Sequence, residues 1–400
     1  MKRWILLFTL VLTSFFITDT AHATSTTIKI EKEATARFYL HNGQEIKYIT
    51  LPKGQTYSAT LDDNVWLITV GNAQVQISKH YAKPVSTNIK AAKNTNKLQL
   101  LTHQSVPVYE SHTKKGKPIA TLAKNTRISS NGVKGNYYEV VVGGKLGYIP
   151  RKEIEVDSGV PVLIYHHFVE NIEQSHFRDN VSVADIRRFD EQMSYLKKQG
   201  YTTISLKDLD FWMQKKQALP AKIVALTFDD ANLSLEKMVY PILKGYNMYG
   251  TTFVIGNRVK EETPIFNAEA KIVQFSGFNE LYRIQDRIEL EHHTYGLHVF
   301  NQALRRSQLQ MTSNKDLRRD FELANEVFAQ IDPRIEARYY SYPFGKFNKN
   351  QEAVFIENNI SLAFLNKGGK AKISSPRFYI PRIPVQNTTT LKEFKALVKN

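Results

Sequence analysis

The chain has 400 residues, enough for two or three domains of ~100–200 residues each. Its 42% hydrophobic, 11% aromatic and 23% charged residues support packed cores and exclude wholesale disorder, and the lack of cysteine excludes a disulfide scaffold, a Cys-ligated zinc finger, an iron–sulfur cluster and a thiol nucleophile. Lys and Arg outnumber Asp and Glu by 54 to 38, a formal charge of +16 that points to an anionic partner: nucleic acid, cell wall or membrane surface.

The N-terminus decides among these partners. Lys2-Arg3 precedes an apolar run from Trp4 to about Ile17, followed by Ala21-His22-Ala23. A cationic start, a short apolar stretch and a small-x-small site make the pattern of a secretory signal peptide, here residues 1–23. The run is shorter than the ~20 residues that cross a bilayer, so no stable membrane span is expected after cleavage. The mature chain is expected to be secreted or held at the cell surface. There a basic protein meets wall polymers and polysaccharide, not nucleic acid.

Two segments then look alike. One holds ITLPKGQTYS (49–58), Trp66 and VGNAQVQISK (70–79); the other holds IATLAKNTRISS (119–130), Tyr137-Tyr138 and VGGKLGYIPRK (142–152). Thr50 matches Thr121 and Val70 matches Val142, an offset of about 71 residues. Short β-rich runs broken by Gly, Asn and Asp are the pattern of small antiparallel barrels. Residues 24–82 and 98–156 are therefore expected as two small all-β units, with 83–97 as a Pro-, Ser-, Asn- and Lys-bearing linker. The second unit resembles bacterial SH3-like (SH3b) modules and the first a diverged copy. In secreted bacterial proteins such modules often bind cell wall, or serve as spacers.

From residue 160 the pattern changes to alternating strands and amphipathic helices. VPVLIYHHF (160–168), KIVALTF (222–228), TTFVIG (251–256), RIELE (287–291), ARYYSYPFG (337–345), SLAFLN (361–366) and FYIPRIPV (378–385) read as strands. Helices are expected from a Ser182 cap through Lys198, over 233–244, 314–330 and 390–398. Repeated β-then-α units predict an α/β domain over 160–400, a (β/α) barrel with its chemistry at the C-terminal strand ends.

Polar residues fall at those ends. KIVALTF runs into Asp229-Asp230. Adjacent strand residues point oppositely, so the two carboxylates are expected to do different work, one on a metal and one on a proton. An Asp-Asp pair after a strand also suits a helix cap. RIELE runs into HHTYGLH (292–298), where His293 and His298 are five apart. That spacing shares no face on a helix or strand, so the rings converge only across a loop, which Gly296 would permit. Two imidazoles and one carboxylate make a three-ligand site with open positions, as in hydrolytic metal centres.

TFDD (227–230), HTYGLH (293–298) and YPFG (342–345) together resemble the motifs of the polysaccharide deacetylase family with the NodB homology domain, carbohydrate esterase family four. The five-residue His spacing and the early YHHF strand are most similar to the branch acting on poly-N-acetylglucosamine. The resemblance implies a distorted seven-stranded barrel and removal of N-acetyl groups from an N-acetylglucosamine-type polysaccharide. It implies Asp229 as general base, and Asp230, His293 and His298 on one divalent ion, zinc or else cobalt, nickel or iron. Thr294 would steady its neighbours, the Phe344 N–H would hold the oxyanion, and Tyr295 in the same loop could stack on a sugar. Two departures stand out. Ser341 occupies the region where the family often has Arg, leaving Arg382 as the alternative partner for Asp229. No His follows His298, so the general acid falls to His166, beside His167, unless His166 is structural. Those departures motivate a second reading, a non-catalytic wall-binding protein with a degenerate deacetylase domain.

Overall fold

The structure, a computed structural model, describes residues 25–113 and 116–399; the expected signal segment lies outside them. No helix among the described residues is long and apolar enough to cross a membrane.

Alternating buried and exposed residues in the first third make antiparallel strands with one face inward. The two repeats do not close separately. Their strands form one eight-stranded barrel in the order Tyr137–Val142, Lys145–Pro150, Val106–Tyr109, Pro118–Leu122, Glu45–Leu51, Ala34–Tyr39, Ala73–Ser78, Val65–Val70, which returns to Tyr137–Val142. The two seams that join the repeats pair the matched residues themselves: Thr121 opposite Thr50, and Val142 opposite Val70. Gly71 N–H donates to the Val141 carbonyl and Gly143 N–H to the Thr69 carbonyl, at 2.7 and 2.8 Å. Both glycines are left-handed (φ 59° and 50°), and a Cβ on Gly143 would lie 2.5 Å from that of Tyr57. The expectation of two modules therefore gives way to one shared barrel. Short strands with unpaired edges find their partners in the related repeat, which leaves no open seam. The 83–97 segment is irregular after its first residues and is tied to the barrel, for example by Ala92 N–H on the Gly144 carbonyl.

The second part is a curled parallel sheet. Its strands run Leu362–Phe364, Tyr339–Ser341, Ile288–His292, Gly250–Val254, Ile223–Asp230, Val162–Tyr165 and Ile383–Pro384. The central strand Ile223–Asp230 is buried to its penultimate residue, as a parallel strand covered on both faces must be. The sheet curls into a half-barrel and is not closed by a full ladder. Its two edges meet through residues 377–384. Ile380 bridges to Phe364 on one side, and Ile383 pairs with Leu163 on the other. Helices cover the outside, with Phe189, Met193 and Leu196 of Ile186–Lys198 buried against the sheet. This helix is capped by Asp185, not Ser182, because residues 183–185 first pair with His167–Val169. The 233–244 stretch divides into a wide turn, Leu235–Val239, and a helix, Tyr240–Tyr246.

The barrel packs on the N-terminal ends of the parallel strands. One apolar cluster runs from Ile49, Ile68 and Val140 in the barrel to Val160, Trp212, Ile223 and Phe253 in the half-barrel. Arg127 crosses this junction. It forks onto Asp157 (2.7 and 3.3 Å), donates to the Pro220 carbonyl (2.8 Å) and lies over the Trp212 ring. Neither partner of the ion pair has appreciable solvent exposure. Truncating one member of a buried pair strands the other charge, at a cost of about 3–5 kcal/mol. Arg127→Met is expected to lower unfolding free energy by about that amount in urea melts, with activity per folded molecule unchanged.

Candidate metal centre and active site

The C-terminal strand ends bring the expected residues together. Asp229 and Asp230 close the central strand, but the alternation expected of adjacent strand residues fails at Asp230. Its φ of 78° is left-handed, as is that of Ala231 (54°). The backbone thus rotates both carboxylates into one site. His293 Nε2 lies 3.8 Å from Asp229 Oδ2 and 3.5 Å from Asp230 Oδ1.

Asp229 is held by a buried guanidinium. Arg382 donates to its two oxygens at 2.7 and 2.8 Å, and Ser341 Oγ–H donates at 3.0 Å. Burial opposes the Asp229 charge, but Arg382, and then His293, outweigh it and hold the carboxyl well below the usual carboxylate range. Ser341, noted in the sequence only as a departure from the family, is a site residue. Its hydroxyl accepts from Arg382 at 2.7 Å, and its carbonyl accepts from His293 Nδ1 at 2.8 Å. The signal was its place at a strand end directly before YPFG.

His293 and His298 converge across a loop, with ring centroids 4.7 Å apart. The left-handed residue of that loop is Thr294 (φ 70°), not Gly296, where a Cβ would meet nothing closer than 3.5 Å. Thr294 Oγ1 is buried without a hydrogen-bond partner among the described residues. Tyr295 is half-buried and packs against Gly256.

The donor set fits a divalent ion. Ligand atoms of Asp230, His293 and His298 all lie within 4.8 Å of one another. Asp230 Oδ1 is 3.5 Å from both His293 Nε2 and His298 Nε2, near the edge of a tetrahedron with bonds of ~2.1 Å. Asp230 Oδ1 is buried with no hydrogen-bond partner among the described residues. The Nδ1–H of His293 on the Ser341 carbonyl leaves its Nε2 lone pair facing the centre. Burial, with His293 beside it, pushes His298 down to about 4, so it is neutral at ordinary pH. Burial also works against the Asp230 charge, but His293, His166 and His298 outweigh it and hold that carboxyl down to about 2.

The paired histidines of the first strand diverge. The strand stops at Tyr165, and half-buried His166 interacts electrostatically with both carboxylates. His167 turns toward Ser234 Oγ (3.0 Å) and the edge of Phe177. Phe344 is left-handed (φ 59°) and 42% exposed, with its ring on His298 at 4.5 Å. No backbone carbonyl among the described residues takes up its N–H.

Residues 216–362 match the family model described as Polysaccharide deacetylase. Over this segment the chain is similar to polysaccharide deacetylases. The chain is 25% identical over 259 residues to the poly-beta-1,6-N-acetyl-D-glucosamine N-deacetylase of Staphylococcus aureus (strain MSSA476), covering 62% of this chain and 85% of the relative. The enzyme of that name from Staphylococcus epidermidis is 25% identical over 235 residues, 58% and 76% of the two chains. In fold, the domain is similar to IcaB from Ammonifex degensii (TM-score 0.50, 19% identity, 60% of this chain and 96% of that one). A candidate polysaccharide deacetylase from Bacillus anthracis covers 92% of this chain and all of its own length (TM-score 0.50, 16% identity), so that likeness extends into the β-barrel.

Arg382→Gln tests the electrostatics of this site. Without the guanidinium, burial dominates and the Asp229 carboxyl rises. In the wild type its depressed pKa contributes stability that is present above the unfolded value of ~3.9 and is lost as pH falls below it. In the variant the raised pKa makes the carboxylate destabilising at neutral pH, a penalty relieved on acidification. The stability gap between the two proteins is therefore expected to be widest near pH 7 and to narrow toward pH 3, read from urea melts across pH.

Proposed function

We propose that the chain is a metal-dependent N-deacetylase of an exported or cell-wall polysaccharide of N-acetylglucosamine type, releasing acetate and leaving a free amine. The observation that carries this reading is the convergence of Asp230, His293 and His298 beside a second carboxylate, Asp229, that is kept charged by its own arginine. The printed activity of the staphylococcal relatives supports the substrate class.

Asp230, His293 and His298 would hold the ion. An N₂O donor set suits zinc and accommodates cobalt, nickel or iron. When bound, such an ion polarises an amide carbonyl and lowers the pKa of water toward ~7. Asp229 takes a proton from the attacking water, and its ionised state is secured by Arg382. The Phe344 N–H faces the oxygen on which negative charge develops, a contribution of about 3–4 kcal/mol for such a donor. His166 hands a proton to the departing amine as the C–N bond breaks, giving acetate and glucosamine. Phe300 packs edge-on to Phe344 and extends an apolar rim beside the centre.

The N-terminal run supports an extracytoplasmic location, secreted or at the cell surface. The SH3-like reading of the repeats gives the barrel a wall-facing role, and the chain's formal charge of +16 suits an anionic wall. The non-catalytic reading rested in part on a missing arginine; Arg382 on Asp229 favours the enzyme.

The test incubates the full chain with N-acetylglucosamine oligomers and with peptidoglycan, and assays acetate and free amines. Acetate is expected, abolished by a chelator and restored by divalent metal. Asp229→Asn is expected to lower kcat by about 10²–10⁴ with metal content unchanged. New reducing ends instead of acetate would mean a glycan hydrolase. Intact metal binding with no acetate would favour the wall-binding protein.

A further inference from the structure

We infer that Asp320 is a positioning residue that sets the spacing of the two histidine ligands and thereby the metal affinity of the centre, an inference that rests on the metal-centre reading above. His293 and His298 belong to a loop with no ladder to hold it. After Thr294 turns left-handed, the next backbone amides point inward, away from the histidine rings. The Tyr295 N–H donates to Asp320 Oδ2 at 2.8 Å and the Gly296 N–H to Asp320 Oδ1 at 2.8 Å, and the Leu297 N–H adds to the same carboxylate. One charged group thus gathers three consecutive amides lying between the two ligands.

The carboxylate is itself fixed. Asp320 is buried on the eighteen-residue helix Asn314–Ile331, whose Leu317, Phe321 and Ala324 pack into the domain. The loop's other ties come from the neighbouring segment: Gly256 N–H to the Thr294 carbonyl and Asn257 N–H to the Tyr295 carbonyl, both 3.0 Å, and Arg258 Nη2 to the His298 carbonyl at 3.5 Å. The first two hold the start of the loop and the third its end; among the described residues, Asp320 is what takes up the Gly296 and Leu297 amides between them. Asp320 touches neither the reacting centre nor a ligand ring, so it acts through the loop. Groups that orient metal ligands from behind change metal affinity by 10–100-fold when removed.

The experiment titrates the metal-free full chain with Zn²⁺ against a chromophoric chelator, and records the visible spectrum of the Co²⁺ form. Wild type, Asp320→Asn and Asp320→Ala are compared, with the exposed Glu322→Gln on the same helix as control. The asparagine variant keeps the size of the side chain but turns one acceptor into a donor facing an N–H. Both Asp320 variants are expected to bind Zn²⁺ 10–100-fold more weakly with altered Co²⁺ bands, and Glu322→Gln to match wild type. Unchanged affinity and spectra in the Asp320 variants would overturn the inference. If wild type itself binds no metal, it is the metal-centre reading that fails. Residue-resolved amide exchange on the wild type keeps the inference testable if the variants do not fold. Tyr295, Gly296 and Leu297 are expected to be protected like helix amides, and exchange at open-loop rates would refute the anchoring.

Discussion

A carboxylate as deeply buried as Asp229 keeps its charge only if an equal and opposite charge is brought to it with no donor left over. Arg382 meets that condition. Its five N–H groups go to the Leu365 carbonyl, Thr227 Oγ1, both oxygens of Asp229 and Ser341 Oγ. The guanidinium can be there because residues 377–384 cross the open seam of the half-barrel, bonded to one edge through Ile380 and to the other through Ile383. Incomplete closure of the sheet and the ionised state of Asp229 are thus one feature. A fully laddered barrel would have no crossing segment to carry Arg382 into the site.

The same economy shows in the backbone. Asp230, Thr294 and Phe344 come from three different strand ends, and each is a non-glycine residue with φ between 59° and 78°. Such conformations cost about 1–3 kcal/mol apiece and persist where the surroundings over-determine them. Here each one aims a group that regular strand geometry would turn elsewhere: a carboxylate toward two imidazoles, a loop back toward its own start, an N–H away from its neighbouring carbonyls. Glycine would relieve the strain, but at Asp230 it would remove the carboxylate.

Much of this site could be read in the sequence because strand ends announce themselves. A continuous apolar run ending in Asp-Asp, and another ending in His-His, need no partner segment to be recognised. What the sequence could not show were relations between distant segments. Arg382 could be named only as an alternative partner for Asp229, since nothing local marks which arginine crosses the seam. Ser341 looked like a loss and links Asp229 to His293. Gly296 was given the turn that Thr294 makes, because glycine preference is statistical while the φ of Thr294 is imposed by the bonds on either side. The repeats were visible, but equal internal pattern does not say whether two copies close on themselves or on each other; that depends on edges, which have no signature in a single copy.

How the repeats close changes what the N-terminal part can do. Two separate modules on a linker would offer two binding surfaces and the gain of simultaneous engagement. One barrel with a pseudo-symmetric seam offers a single surface. That barrel shares its apolar core with the floor of the half-barrel and is locked there by Arg127 and Asp157. It sits at the N-terminal ends of the parallel strands, whereas Asp229, Asp230, His293 and Phe344 lie at the C-terminal ends. A sugar in the catalytic mouth therefore cannot touch the barrel at the same time. Whatever the barrel holds must be a different molecule, or a different stretch of polymer looped around the domain. If the barrel holds a wall polymer as proposed, a rigid base facing away from the mouth is the arrangement for working on loose chains above the wall, not on the strand that is held.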